Sequence, residues 1–142
     1  MEIDPRNGIQ ILDESSCWEM LAREAHGRLA VAPAGLPDIF PVNHLHHDNR
    51  LLFRTAEGSK LVSVAVNSKV AYEVDGYLPE TGEAWSVVVQ GTARIVESDE
   101  ESAMLEELPL TPWNAGPKNN FVEIVPERVS GRRFRLGLGP DA

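Results

Sequence analysis

Arg54, Thr55, Ser59 and Lys60 crowd around one turn in the stretch LLFRTAEGSKL, residues 51–61. They offer a planar guanidinium fork, a mobile ammonium and two hydroxyls. That donor set suits a phosphate, with its charge and several acceptor oxygens. An apolar, strand-like run leads into the turn and a helix-like run opens at Ser59. Backbone N–H groups at such a helix start would add partial positive charge. Gly58 lets the backbone come close to a ligand. The glycine spacing of a Walker loop is absent, and the same residues would also suit a solvated turn with ordinary surface charges.

Other candidate chemistry is thinner. In NHLHHD, His44 and His46 lie on one face of a strand, as a pair of metal ligands would. Neither a cysteine pair nor a helical HExxH accompanies them, so a surface or barrel-lining role is expected and no metal is assigned. No GxSxG nucleophile elbow occurs. Trp85 and Trp113 could each stack on a planar ligand, or serve as core or subunit-contact aromatics.

The elements that would position these residues follow from periodicity. LDESSCWEMLAREAHG reads as a helix, with Ser16 and Glu19 at capping-box spacing and Gly27 to end it. Trp18, Leu21, Ala22 and Ala25 would form its buried face. RLAVAPAG gives a short strand and then a turn at residues 35–37. DIFPVNHLHHDNRLLFRT reads as a hairpin turning at Asp48 and Asn49. Pairing outward from that turn sets Leu45 opposite Leu52 and Asn43 opposite Arg54, with His44 and His46 on the other face beside Phe53 and Leu51. SKLVSVAVNS is a helix burying Leu61, Val64 and Ala65. KVAYEVDG and AWSVVVQGTARIVES are strands, DEESAMLEELP is an acidic helix, and FVEIVPERVSGRRFRL gives two closing strands. Many strands, few helices and no regular βαβ alternation predict an antiparallel barrel with helices around it.

The bulk properties agree with one globular domain over residues 1–142. Hydrophobic residues make up 42% of the chain and charged ones 25%. A net charge of -9 disfavours general binding to nucleic acid or anionic lipid. Cys17 is the only cysteine, so no internal disulfide forms. No apolar run approaches the roughly 20 residues that span a bilayer. The first residues lack a basic region followed by an apolar one, so a cytoplasmic protein is expected.

Three stretches in this order resemble the pyridoxamine 5'-phosphate oxidase-like, FMN-binding split-barrel proteins, chiefly their short actinobacterial-type members. They are FPVNHLHHDNRLLFRTAEGSKL, VAYEVDGYLPETGEAWSVVVQGTARIV and VEIVPERVSGRRF, and the likeness runs from about Leu12 to about Phe134. The resemblance implies a mainly β fold with some α: a six-stranded antiparallel split barrel with peripheral helices. It implies a homodimer with two FMN sites at the subunit interface. It puts Arg54, Thr55, Gly58, Ser59 and Lys60 at the flavin phosphate. It puts Pro41, Val42 and Asn43 along the isoalloxazine ring, and Trp85, Ser86 and Val87 near the flavin. His44 would be the first side chain to test near the ring, and Asn43 could donate and accept at its pyrimidine edge.

The chain also departs from the family. The Arg-Gln pair of true pyridoxamine phosphate oxidases is replaced by Trp85-Ser86, and the closing RRFRLGLGPDA lacks their Trp-x-x-x-Arg-Leu-x-Pro motif. Vitamin B6 oxidation is therefore not expected. The implied activity is a flavin-dependent oxidoreductase acting on an unidentified small molecule. A deazaflavin cofactor, or a flavin-binding or storage protein without turnover, is the alternative.

Overall fold

The computed structural model describes residues 2–4, 6–47, 49–55, 60–96 and 120–135, with the backbone alone at Glu2, Thr55 and Asn120. In chain order the elements are β1 (Glu2–Ile3), β2 (Gln10–Leu12), α1 (Glu14–Arg23), β3 (His26–Val31), a 3-10 turn (Pro33–Gly35) and β4 (Asp38–Asn43). Then come β5 (Leu45–His47), β6 (Arg50–Thr55), α2 (Lys60–Ala65), β7 (Lys69–Leu78), β8 (Glu83–Ile95) and β9 (Asn120–Arg135). Among the described residues, no helix is long and apolar enough to cross a membrane.

Six strands in the order β6–β9–β8–β7–β3–β4 form one curled antiparallel sheet. β4 comes close to β6 without pairing with it, which leaves the barrel split along that side. The short strands β1 and β2 extend the sheet beyond the second half of β9, and β5 forms a hairpin with β6. Among the described residues the sheet thus has nine strands rather than six. The three extra ones are additions to the expected split barrel.

Strict alternation along the strands builds the interior. Tyr72 and Val74 of β7, Trp85, Val87 and Val89 of β8, Leu51 and Phe53 of β6, and Val122 and Ile124 of β9 are all buried in one cluster. Burying each such side chain stabilises the fold by about 1.5–3 kcal/mol before entropy is counted. α1 adds Cys17, Trp18, Met20 and Leu21 to this cluster. Trp18 stacks on His46 of β5, ring centroids 5.0 Å apart, so it fixes the helix to the hairpin.

Several expectations are corrected. α1 is capped by Asp13, whose carboxylate accepts from the Ser16 N–H at 2.8 Å, and not by a Ser16–Glu19 capping box. The helix stops at Arg23, and Ala22 and Ala25 are exposed where Cys17 and Met20 are buried. Gly27 does not end the helix but lies inside β3. A Cβ there would sit 2.5 Å from the Glu73 carbonyl oxygen and 2.8 Å from the Tyr72 ring. The residues from Phe121 to Arg135 form part of one strand, not two. Pro126 is accommodated there at a bulge, where Gly91 faces Pro126, Gln90 faces Arg128, and Glu127 is the extra residue. The hairpin turn itself holds: Leu45 faces Leu52, His47 faces Arg50, and Asn49 has a φ of 58°. The acidic helix expected near residues 99–109 and the loop carrying Trp113 lie outside the described residues.

Candidate flavin site at the barrel split

β6 carries the candidate phosphate residues to the split. Its Phe53 points into the core, so Arg54 falls on the outer face. There the guanidinium lies over the Phe121 ring, 5.0 Å from its centroid. Below it, the buried Glu123 of β9 is held by both Arg50 of β6 and Arg94 of β8, which tie the three strands together. Lys60 opens α2, with its Nζ 3.4 Å from an Asp38 carboxylate oxygen at the start of β4. The Lys60 side chain is 73% exposed, so its ammonium can turn to a ligand. The Lys60–Asp38 pair brings the far end of the turn against β4, across the split from β6. Gly58, Ser59 and the Thr55 side chain lie outside the described residues.

Cross-strand pairing sorts the other candidates by face. Pro41 faces Arg28 and Asn43 faces His26, while Val42 packs against the core from the inner side. The expected Asn43–Arg54 pair does not form. β4 pairs with β3 only, and the chain breaks its strand at His44 before β5 joins β6. On β8, Trp85 and Val87 are buried, and Trp85 lies against Gly76, where a Cβ would be 2.6 Å from the indole Nε1. Ser86 points the other way. Pro41, Asn43, Arg54 and Ser86 therefore share the outer face, whereas Val42, Trp85 and Val87 fill the interior.

His44 is not in the split. It is 5% exposed, with Nε2 2.9 Å from the Leu21 carbonyl and Nδ1 2.7 Å from the Tyr72 hydroxyl. A carbonyl only accepts, so Nε2 carries the proton and the Tyr72 hydroxyl donates to Nδ1. The hydroxyl also lies 3.2 Å from the Val42 carbonyl. Burial, more than any neighbour, holds the His44 pKa below the usual histidine value. Its partners come from α1 and β7, both distant in sequence.

The outer face also carries a cluster that sequence reading missed. Arg28 of β3 pairs with Glu73 at 3.0 Å and also with Asp75, both on β7. Partial burial and the adjoining Asp75 push the Glu73 carboxyl up to about 7, and Glu73 donates to Asp75, whose own pKa is lowered. The alternation E-V-D in YEVDG, next to an apolar strand, was the available signal. Two hollows adjoin this face. One, of about 620 Å³, is bordered by Ser86, Ser130, Arg132 and the N-terminal Ile9 and Ile11; the other, of about 420 Å³, by Glu73, Tyr77, Ser86 and Phe134. Among the described residues, no three His, Cys, Asp or Glu side chains gather to hold a metal ion.

Comparison with known proteins identifies the family and the fold. Residues 13–133 match the family model described as pyridoxamine 5'-phosphate oxidase. The chain belongs to this family. An uncharacterised Mycobacterium tuberculosis protein, Rv0080, is 42% identical over 129 residues, which cover 87% of this chain and 84% of that one. A crystal structure of a conserved protein of unknown function from Corynebacterium diphtheriae is 40% identical, with a TM-score of 0.74 over 92% of this chain and 99% of that one. The structure of an FAD-binding protein from Mycobacterium smegmatis is 36% identical, with a TM-score of 0.79 over 89% of this chain and 99% of that one. As a member of the pyridoxamine 5'-phosphate oxidase family, the chain shares its fold with the two solved structures over 99% of each.

Proposed function

We propose that this protein is a homodimeric, FMN-binding oxidoreductase of the pyridoxamine 5'-phosphate oxidase-like kind, acting on a small molecule. The observation that carries the reading is the pairing of Arg54 and Lys60 at the two ends of one turn beside the split, in a chain of this family. The residues present fit a flavin nucleotide. Two cations suit its phosphate, and Asn43 offers a polar group on the outer face of β4, the strand across the split. Trp85 and Val87 are used up in the core, and Ser86 lies at the far end of β9 from Arg54, so it could meet a flavin held by that turn only from the second subunit. When bound, the flavin supplies the electron-accepting ring; the chain binds it, orients it and limits access to it.

A second reading concerns the size of the cofactor. The Mycobacterium smegmatis relative binds FAD, and a phosphate turn built for FMN serves equally for the flavin-side phosphate of FAD. A deazaflavin, with its polyanionic tail, would call for further cations. Mass spectrometry of the cofactor released from native protein separates the three. FMN mass supports the first reading, FAD mass the second, and a deazaflavin mass overturns both. Bleaching of the bound chromophore by NADH or NADPH without oxygen supports turnover; a colour indifferent to every reductant of this kind favours storage.

A further inference from the structure

The ammonium of Lys60 stands 3.4 Å from Oδ2 of Asp38. At that distance the contact is an ion pair, longer than a normal hydrogen bond. The two partners are held very differently. Asp38 opens β4 opposite Val31 of β3, on the same side of the strand as Phe40 and Val42, which pack against the core. Its Oδ1 accepts from the Ile39 N–H at 2.9 Å, which orients the carboxylate. The Lys60 side chain is 73% exposed, against 40% for Asp38, and its ammonium rides on a flexible four-carbon stem. The carboxylate is the fixed member of the pair and the ammonium the movable one.

The pair is not what places α2. Leu61 and Ala65 are buried in the barrel core, and Val64 packs against it. The turn after the helix is tied to β8: the Asn67 N–H donates to the Ala93 carbonyl at 2.7 Å, and the Ala93 N–H to the Ser68 carbonyl at 3.2 Å. An exposed ion pair adds little to an element anchored in this way. What the acid does change is the charge that Lys60 presents to a ligand.

We propose that Asp38 is a resident counter-anion of the phosphate turn. It holds Lys60 while the turn is empty, competes with the flavin phosphate for that ammonium, and so sets how strongly the site prefers phosphorylated over unphosphorylated flavin. The inference rests on the flavin reading above and assigns a control to its phosphate end. A phosphate that takes the ammonium leaves the Asp38 carboxylate without its cation. Both anions then lie within reach of one Nζ, no more than about 6 Å apart, where like charges repel even in water. Salt at 0.1 M screens over about 10 Å, so the repulsion survives ordinary buffers. The phosphate monoester of FMN carries about 1.5 to 2 negative charges at neutral pH and meets this repulsion in full. Riboflavin has no phosphate and does not meet it. The site therefore holds FMN less firmly than its cations alone would, and exchanges it more readily.

Titration of FMN and of riboflavin into the full chain, stripped of bound flavin and followed by flavin fluorescence, tests this. Asp38→Asn keeps an acceptor for the Ile39 N–H and removes only the charge. It should tighten FMN at least threefold and slow its release by a similar factor, with riboflavin affinity unchanged. In a Lys60→Ala background the same substitution should tighten FMN by less, because no ammonium is left to compete for. Thermal unfolding of Asp38→Asn should stay close to wild type. If that variant does not fold, Asp38→Ser takes its place with the same expectations. An Asp38→Asn chain that binds FMN no tighter than wild type, or that gains equally for riboflavin, overturns this assignment while Arg54 and Lys60 keep theirs. So does a gain of the same size with and without Lys60. An FMN affinity indifferent to the loss of Arg54 and Lys60 together overturns the phosphate turn itself, and this inference with it.

Discussion

The imidazole of His44 and the hydroxyl of Tyr72 hold each other inside the barrel at 2.7 Å, the hydroxyl donating to Nδ1. The other ring nitrogen donates to Leu21 at the end of α1. One histidine thus joins the β4–β5 junction, β7 and the first helix. Its folded-state pKa is depressed by burial. For a base this means stability is full above the unfolded value of about 6.5 and is lost as pH falls below it. In the Glu73→Gln background, urea unfolding at pH 8 and pH 5 should show the protein weaker at pH 5, and His44→Gln should remove that part of the loss. Tyr72→Phe should cost about 1–3 kcal/mol by stranding a buried acceptor.

Glu73 titrates in the opposite sense. An acid whose pKa is raised in the folded state binds more protons there, so its contribution declines as pH rises from the unfolded carboxyl range to about 7. Unfolding curves of Glu73→Gln should therefore gain on wild type at pH 8 relative to pH 5. That variant is also the background in which the His44 effect is cleanly read.

The split barrel was legible in the sequence wherever local chemistry decides. The hairpin register at Leu45 and Leu52 and the left-handed Asn49 follow from turn type and alternation. So do the apolar faces of β7 and β8. What escaped depends on contacts distant in sequence. Gly27 reads as a helix stop, yet the Tyr72 ring occupies the place of its missing side chain. His44 reads as part of a strand with His46, yet α1 and β7 draw it inward. In the candidate site, Arg54 and Lys60 could be found from residue types alone. That Trp85 is core and Ser86 is not follows only from which face of β8 the barrel closes over.

For the candidate phosphate turn, the Arg54→Ala, Lys60→Ala double variant should keep its fold and lose flavin affinity. Each charge-assisted contact is worth about 1.5–3 kcal/mol. Titration of FMN or FAD into apo protein, followed by flavin fluorescence, measures it. Affinity equal to wild type would remove the turn from the site.

Glu123 gathers two arginines at 5% exposure. Glu123→Ala should destabilise the protein by about 3 kcal/mol, the lower part of the range for a broken buried pair, since Arg94 can swing into water. Thermal unfolding checks this. Because β6 loses its anchor to β9, flavin affinity should fall in the same variant even though no cofactor contact is removed.

At the crowded bulge, Gly91→Ala would set a methyl group 2.0 Å from the Val125 carbonyl oxygen, a backbone atom that cannot rotate away. A loss of about 1–3 kcal/mol is expected, read by denaturant midpoint.

That bulge also keeps the chain's count. Before it, odd-numbered residues of β9 look outward, Phe121 and Glu123 among them, and even-numbered Val122 and Ile124 look in. After it, even-numbered Arg128, Ser130 and Arg132 look outward and Val129 looks in. β8 changes parity nowhere along the same length. Glu127 is thus a one-residue shift of frame, and it lets a single strand serve the turn at one end and the hollows beside Ser86 at the other. Deleting it would turn one half of β9 inside out, whereas a deletion in the loop after β7 need only shorten a turn.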